Sequence, residues 1–290
     1  MNNQFEQPTQ APVRADKPWT RRVTYKSGKT PAGFATKATP QDVSAGFSYY
    51  DTNTKQKVEM PEFVAFVVAT LSGVSGTVPD GKGYVNYFSS LVYDTRTDPI
   101  RVFMQGADRP IAQGIYKQLD LPDGVNYSQY LICYLPDSDE LVSLELTAGL
   151  QNAVKRAIGA ACGERASKIS LFNLCDLSTQ FWGIRFSGEF EKRDKEGNEW
   201  KAGEMYFMPK LTAGVVTTAK NSPLIEILNE KSDAVRAYCN GYADDLRDAA
   251  QVSQSTATAP AAAPSRTASN AEQVPMPTND VTSYGEDLPF

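Results

Sequence analysis

The sequence predicts a mainly β fold with inserted helices, of the α+β class, followed by a C-terminal tail. Short stretches rich in β-branched and aromatic residues recur through the middle of the chain, separated by Gly, Pro and Asp. Two segments have the apolar spacing of helices. From Gln251 onward Ser, Thr, Ala and Pro dominate and large apolar residues are almost absent, so residues 251–285 are predicted to be a disordered linker.

The N-terminal residues 1–60 are rich in Thr, Pro, Gly, Lys and Gln, with single aromatic residues among them. We interpret them as a basic, aromatic-containing arm, or an irregular lead-in, before a folded body at residues 61–250. The body begins with Glu62–Leu71, which is typical of a strand because β-branched and aromatic residues fill it and Pro61 and Gly73 bound it. Further strands are predicted at Tyr84–Asp94, Ile100–Gln105, Tyr130–Leu135, Leu141–Thr147 and Lys168–Leu174.

The clearest local unit is a β-hairpin over Phe181–Pro209. Phe181–Phe190 alternates apolar and polar positions in part, Lys192–Asn198 is a strongly polar turn, and Glu199–Met208 returns with several aromatic residues. This pattern predicts a hairpin with a charged tip.

Two helices are predicted in the body. Ser222 as the N-cap and Pro223 in the first turn begin the second of them, which continues to about Ala250. The first covers Leu150–Cys162, where apolar residues at i, i+3, i+4 and i+7 define one face. These residues are Val154, Ala157, Ile158 and Ala161.

Composition narrows the class of function. The chain contains no histidine, which removes the commonest general base, the Ser-His-Asp triad and the Cys-His dyad. Its four cysteines form no CxxC pair, so they are interpreted as reduced thiols, and neither a zinc site nor another cofactor is predicted. No apolar run has the length of a membrane span and no secretory signal is evident, so we expect an intracellular protein that is not an enzyme.

The net charge of −5 is distributed unevenly along the chain. Residues 1–37 contain seven basic and two acidic side chains, whereas residues 251–290 contain one basic and four acidic side chains. A basic segment attracts phosphates and an acidic one repels them. The overall charge therefore does not exclude a local electropositive groove.

The N-terminal segment interleaves aromatic rings with cations. Single-stranded nucleic acid is held in this manner, because cations follow the phosphates and rings stack on unpaired bases, each stack contributing about 1–3 kcal/mol. The alternative is a solvated arm whose rings pack into the core. The candidate nucleic-acid-binding residues here are Trp19, Arg21, Arg22, Tyr25, Lys26 and Lys29.

A second candidate group surrounds the predicted strand Tyr84–Asp94. Tyr87 and Tyr93 share one face of a strand and Tyr84 and Phe88 the other, so one face can belong to the core while the other is a stacking platform. Core packing of most of these rings is the alternative.

The tip of the predicted hairpin Phe181–Pro209 is interpreted as solvated, with the two strands of the hairpin available to DNA. The candidates from these two regions are Tyr84, Tyr87, Arg96, Arg101, Arg185, Trp200 and Lys201.

The last five residues have the composition of a docking plug. A terminal ring can fill an apolar pocket while carboxylates meet Lys or Arg around its rim, and a penultimate proline limits the conformations lost on binding. The candidate partner-docking residues are Glu286, Asp287, Leu288, Pro289 and Phe290. This tip and its linker resemble those of bacterial and bacteriophage single-stranded DNA-binding proteins, which end in acidic residues, an apolar residue, Pro and Phe. Tyr284 and Gly285 stand where that family commonly has further acids.

The resemblance implies a protein that coats single-stranded DNA with little sequence preference during replication, recombination or repair. It implies an OB-fold-like barrel, although the strands alone equally permit another mixed α+β arrangement. It also implies that the tip recruits replication or repair proteins in a bacterial cell or phage-infected host, and lies in the DNA groove until DNA displaces it. The alternative is a structural or adaptor protein, for example a viral one, whose tail docks a partner while the body binds no DNA. Whether the chain forms a homo-oligomer is left open.

Overall fold

The computed structural model describes residues 17–30, 39–40, 43–81, 83–107, 109–172, 174, 180–193, 205–217 and 223–256. Twelve strands and two α-helices lie within these residues. The strands are β1 (Arg21–Lys26), β2 (Lys29–Thr30), β3 (Gly46–Asp51), β4 (Gln56–Met60), β5 (Phe63–Asp80), β6 (Gly83–Ser89), β7 (Ile100–Met104), β8 (Ala112–Gly114), β9 (Val125–Leu135), β10 (Glu140–Leu146), β11 (Gln180–Arg193) and β12 (Met205–Thr217). The helices are α1 (Ala148–Cys162) and α2 (Pro223–Thr256).

All twelve strands belong to one mixed sheet. Nine of them form its main path, in the order β2-β12-β11-β5-β9-β10-β1-β3-β4, and β6, β7 and β8 form a branch. Neighbouring strands are antiparallel except β1 and β10, which are parallel. The sheet branches at β5, because its first half pairs with β11 and its second half with β6, which continues into β7 and β8. In the described part of the chain β2 and β4 are the two ends of this path and the sheet is open. The mainly β prediction is confirmed, whereas the predicted OB-fold-like barrel is not.

The central strand β5 is longer than the sequence suggested. The predicted strand Glu62–Leu71 is present, but pairing with β9 continues through Gly73 to Gly76. A Cβ at Gly76 would lie 2.2 Å from the carbonyl oxygen of Gly124, so the absence of a side chain lets the two strands approach. Gly73 is therefore an interior residue of the strand rather than its boundary.

The sheet has a helix on each face. Leu131 and Ile132 are adjacent on β9 and point to opposite faces, as alternation along a strand requires. Leu131 packs in a core cluster with Leu150 and Ile158 of α1, and Ile132 packs in a second cluster with Leu228 of α2. Full burial of each such side chain contributes about 1.5–3 kcal/mol. Both predicted helices are confirmed, although Ser222 lies outside the described residues.

A third, smaller core lies under the β6–β8 branch. Val74, Ile100 and Val102 pack there with Val92 and Val125. The predicted strand Tyr84–Asp94 is shorter than expected, since β6 ends at Ser89 and an isolated bridge to β5 follows at Val92.

The predicted strand Lys168–Leu174 is wrong. A 3-10 turn over Ala166–Lys168 precedes a stretch whose described residues form no strand. Leu171 and Leu174 are nevertheless buried in the core cluster below α1. The apolar residues that suggested a strand are side chains of a loop that cover this core.

The described part of residues 1–60 belongs to the sheet instead of forming an arm. β1 lies between β10 and β3, and β3 and β4 form a hairpin beside it. Val23 and Tyr25 are buried, whereas Arg22, Thr24 and Lys26, which alternate with them, are exposed. This period of two marks a strand with one face on the core, which draws the segment into the body.

The predicted hairpin Phe181–Pro209 is β11 and β12, which pair from Gln180 and Thr217 toward the tip. β12 extends past Pro209, and residues 194–204 of the charged tip lie outside the described residues.

By its internal contacts the chain divides after Ala250, and all features described below belong to the unit before that division. Within the described residues, neither α1 nor α2 is both long and apolar enough to cross a bilayer.

Candidate nucleic-acid interface

Two neighbouring cavities form a groove beside the N-terminal end of β1. The first, of about 440 Å³, lies between β1, β9, β6, β7 and α2. The second, of about 460 Å³, lies at the turn between β3 and β4 and shares Lys17 and Arg22 with the first. We call the combined surface the β1 groove. It is defined by Lys17, Arg21, Arg22, Tyr49, Tyr50, Phe88, Phe103 and Tyr130.

Arg22 is the central cation of the β1 groove. Its Cζ lies 5.5 Å from the ring centroid of Tyr130, and its guanidinium is ion-paired with Glu145. Pairing of β1 with β10 and of β10 with β9 brings these three side chains to one face of the sheet. Arg22 keeps 40% of its side chain exposed and lines both cavities of the groove.

A hydrogen-bond network holds Glu145 beneath Arg22. Ser75 Oγ donates to Glu145 Oε1 at 2.5 Å, and Tyr130 Oη donates to the same oxygen at 3.4 Å. Ser128 Oγ lies 2.6 Å from Ser75 Oγ. Burial raises the pKa of Glu145, but the charge of Arg22 and the hydrogen bonds from Ser75, Arg22 and Ser128 outweigh it and hold the pKa below its usual value. Glu145 is therefore ionised and keeps Arg22 in one orientation.

Arg21 lies at the end of the β1 groove beside the β3–β4 turn. Its guanidinium is ion-paired with Glu140, and its Cζ lies 4.2 Å from the ring centroid of Tyr49. This distance is within the range of a cation–π contact. Tyr50, the next residue along β3, is 59% exposed. The second cavity therefore combines a cation with two tyrosine rings.

An aromatic pair forms the opposite end of the β1 groove. Phe88 of β6 and Phe103 of β7 are cross-strand neighbours, and their rings stack with centroids 5.7 Å apart and planes at 19°. Phe88 is 43% exposed, and Tyr84 on the same face is 74% exposed. Tyr87 points to the other face and packs against the third core. The exposed face of β6 and β7 thus offers flat ring surfaces to a ligand.

Two of the predicted rings lie in the core. Trp19 is buried and packs edge-on against Tyr238, with centroids 5.1 Å apart. Tyr25 is buried, its hydroxyl donates to the carbonyl oxygen of Phe207, and burial raises its pKa. The alternative that the N-terminal rings pack into the core holds for both residues. Lys26 is exposed at the far end of β1, and the side chain of Lys29 lies outside the described residues.

The other predicted cations are dispersed. Arg101 borders the groove, since its Cζ lies 5.4 Å from the ring centroid of Tyr242 and its Nε donates to Gln113 at 3.0 Å. Arg96 does not line either cavity and is held by Asp94 within its own turn, with Nη2 to Oδ2 at 2.7 Å. Arg185 is an exposed residue of β11 outside both cavities. The predicted residues Trp200, Lys201, Glu286, Asp287, Leu288, Pro289 and Phe290 lie outside the described residues.

Several residues of the β1 groove were not predicted from the sequence. Tyr49 and Tyr50 are adjacent aromatic residues before the polar turn Thr52–Thr54, which is a detectable signal for an exposed ring. Phe103 and Tyr130 had no such signal, because their place in the groove depends on strand pairing.

Comparisons of the chain with protein-family models, curated proteins and solved structures found no match. Within the described residues no group of three or more Cys, Asp or Glu side chains is arranged to hold a metal ion.

Proposed function

We propose that the protein binds single-stranded DNA along the β1 groove. The observation that supports this most strongly is the set of side chains that line two cavities sharing Lys17 and Arg22. Lys17 and Arg22 line both the cavity that holds Phe88 and Phe103 and the cavity that holds Tyr49 and Tyr50, and Arg21 lines the second. Cations spaced between exposed rings match a strand whose phosphates need countercharges and whose bases need stacking partners.

Selectivity for single strands follows from the rings. Base faces are accessible only when they are unpaired, so a duplex can meet the cations but cannot stack on Phe88, Phe103 or Tyr50. Stacking contributes about 1–3 kcal/mol for each base and tolerates any sequence. Binding is therefore expected to show little sequence preference, as needed to coat DNA exposed during replication, recombination or repair.

The carboxylates paired with the arginines make this binding reversible. Glu140 is ion-paired with Arg21, and Glu145 is ion-paired with Arg22. The oxygens of a bound phosphate would share these guanidinium groups with the carboxylates or displace the carboxylates from them. The Arg21–Glu140 pair is partly exposed, and such pairs contribute only about 0–1 kcal/mol, so a phosphate can compete with Glu140 for Arg21. The affinity then depends on the balance between phosphates and these two acids.

The OB-fold-like barrel remains a hypothesis, and the proposed function does not depend on it, since an open sheet with an exposed aromatic face makes the same contacts.

We also propose that Glu286–Phe290 recruits replication or repair proteins in the cytoplasm of a bacterial cell or phage-infected host. Removing Leu288–Phe290 is expected to abolish that recruitment and to leave DNA binding unchanged or tighter. Weaker DNA binding after this truncation would contradict the role of the tip.

The proposal is tested by fluorescence anisotropy with labelled oligo-dT and a duplex of the same length, at low and moderate salt. Tight, salt-dependent binding of the single strand, with weaker binding of the duplex, is expected. Lys168→Ala provides a control, because this exposed lysine pairs with Glu164 outside the groove. Absence of oligo-dT binding at low salt would overturn the proposal and leave an adaptor whose tail docks a partner.

A further inference from the structure

An ordered pair of amides lies beside the aromatic pair of the β1 groove. Asn86 Nδ2 donates to Gln105 Oε1 at 2.7 Å, and Thr77 Oγ1 donates to Asn86 Oδ1 at 2.8 Å. All three residues are exposed. Asn86 precedes Phe88 by two residues on β6, and Gln105, the residue after the end of β7, follows Phe103 by two residues and donates its N–H to the carbonyl oxygen of Asn86 at 2.8 Å. The amides therefore form the next cross-strand row on the same face.

The spacing of the two rows suits a stacked base. Side chains at i and i+2 of a strand stand about 6.5–7 Å apart on one face. A base lying flat on the Phe88 ring would extend toward Asn86 and present its edge there. The mutual hydrogen bonds hold the amides in fixed orientations before any ligand arrives, which limits the conformational freedom lost on binding.

The amides retain hydrogen-bonding positions beyond the bonds they make with each other. An amide nitrogen has two hydrogens and an amide oxygen accepts two hydrogen bonds. Asn86 uses one of each with Gln105 and Thr77, which leaves one donor and one acceptor. The side-chain nitrogen of Gln105 supplies two further donors next to them.

We propose that Asn86 and Gln105 select the base that stacks on Phe88, with a preference for adenine. A side-chain amide matches adenine because its donor and acceptor meet N7 and N6 of the base in a bidentate pair. On an unpaired base this edge is accessible without a groove. This inference rests on the proposed function and adds a base preference at one position to binding that is otherwise indifferent to sequence.

The amide pair has no evident role in the core. Val85 and Tyr87 on β6 and Val102 on β7 point to the opposite face, and Tyr87 and Val102 pack in the third core. Replacing Asn86 and Gln105 with alanine is therefore expected to preserve folding and the Phe88–Phe103 stack. The exposed Gln118→Ala, outside the β1 groove, is the control variant.

The test measures anisotropy of the full chain with oligo-dT, oligo-dA and an oligonucleotide of 7-deazaadenine, in which a carbon replaces the N7 acceptor. The wild type is expected to bind oligo-dA about fivefold more tightly than the 7-deaza strand. The double variant N86A/Q105A is expected to bind these two strands equally, whereas Q118A keeps the difference. Because adenine and 7-deazaadenine have rings of the same size and shape, the comparison of these two strands separates hydrogen bonding at N7 from stacking.

Two results would overturn this inference. One is equal affinity of the wild type for adenine and 7-deazaadenine, and the other is a difference that persists in N86A/Q105A. Both outcomes leave oligo-dT binding intact, so they are distinguishable from failure of the proposed function, in which no strand binds.

Discussion

Arg22 and Tyr130 are brought together by three strands, with the guanidinium carbon 5.5 Å from the ring centroid and Glu145 ion-paired with the same guanidinium. Tyr130 is buried, whereas Arg22 is partly exposed at the groove. The arginine therefore has a fixed support on the sheet side and a partly exposed side chain at the groove. Such a cation is prepared to meet a phosphate with little loss of side-chain freedom.

Replacing Arg22 with alanine is expected to weaken oligo-dT binding and to reduce the slope of log K against log[salt] by about 0.7, the value for one phosphate contact on a single strand. It should also lower the free energy of unfolding by about 1–3 kcal/mol, because Glu145 loses its charge partner. Salt titrations by anisotropy and urea unfolding measure the two effects. Arg22→Lys should retain most of the salt slope, and an unchanged slope in Arg22→Ala would remove this residue from the interface.

Replacing Phe88 with alanine is expected to reduce the free energy of oligo-dT binding by about 1–3 kcal/mol through the loss of one stacked base. The salt slope should stay the same, since no charge is removed. Phe172→Ala is the matched control, because both phenylalanines are 43% exposed and Phe172 lines neither cavity of the β1 groove. Equal losses in the two variants would contradict a specific platform at Phe88.

The Arg22–Glu145 pair predicts a loss of stability in acid. The pKa of Glu145 is lowered in the folded protein, so its contribution is complete above the ordinary glutamate pKa of about 4.3 and is lost as the pH falls through the folded value. The melting temperature of Glu145→Gln should therefore fall less steeply with decreasing pH than that of the wild type. Thermal unfolding between neutral and acidic pH checks this, and parallel pH profiles would show that the pair contributes nothing.

Replacing Glu140 with glutamine is expected to tighten oligo-dT binding, because it removes the carboxylate that competes with phosphate for Arg21. The gain should be about threefold, or ~0.6 kcal/mol, within the range of exposed ion pairs. Glu164→Gln changes the net charge equally at an exposed pair with Lys168 outside both cavities. Anisotropy of the two variants at low salt separates the loss of the carboxylate beside Arg21 from the change in net charge. Equal gains in DNA affinity for the two variants would argue against Arg21 as a phosphate contact.

Local patterns predicted much of the secondary structure. Apolar spacing was sufficient for α1, proline in the first turn indicated the start of α2, and partial alternation around a polar turn indicated the β11–β12 hairpin. These signals depend only on neighbours in the chain. The loop at Leu171 misled the prediction, since buried apolar residues occur in loops as well as in strands. Gly73 misled it differently, because a side chain there would collide with Ser89 and Leu91, residues brought close by strand pairing that the sequence around Gly73 does not reveal.

The candidate site was predicted only in part for the same reason. Arg21 and Arg22 stood out as cations near aromatic residues, but the rings that accompany them come from other strands. β1 pairs with β10 at Arg22 and Ser143, residues far apart in the chain, and the periodicity of one strand says nothing about its partner. Trp19 and Tyr25 were selected as exposed rings, whereas the alternation along β1 places Tyr25 in the core and α2 covers Trp19.

The most direct test of binding in the β1 groove is ultraviolet cross-linking of the full chain to oligo-dT, followed by peptide mass spectrometry. The proposed function predicts adducts on Phe88, Phe103 or Tyr50. The adducts on β6 and β7 should be lost in the Phe88→Ala variant and retained in the Phe172→Ala variant. Adducts confined to rings outside the groove, such as Tyr127 and Phe172, would contradict it.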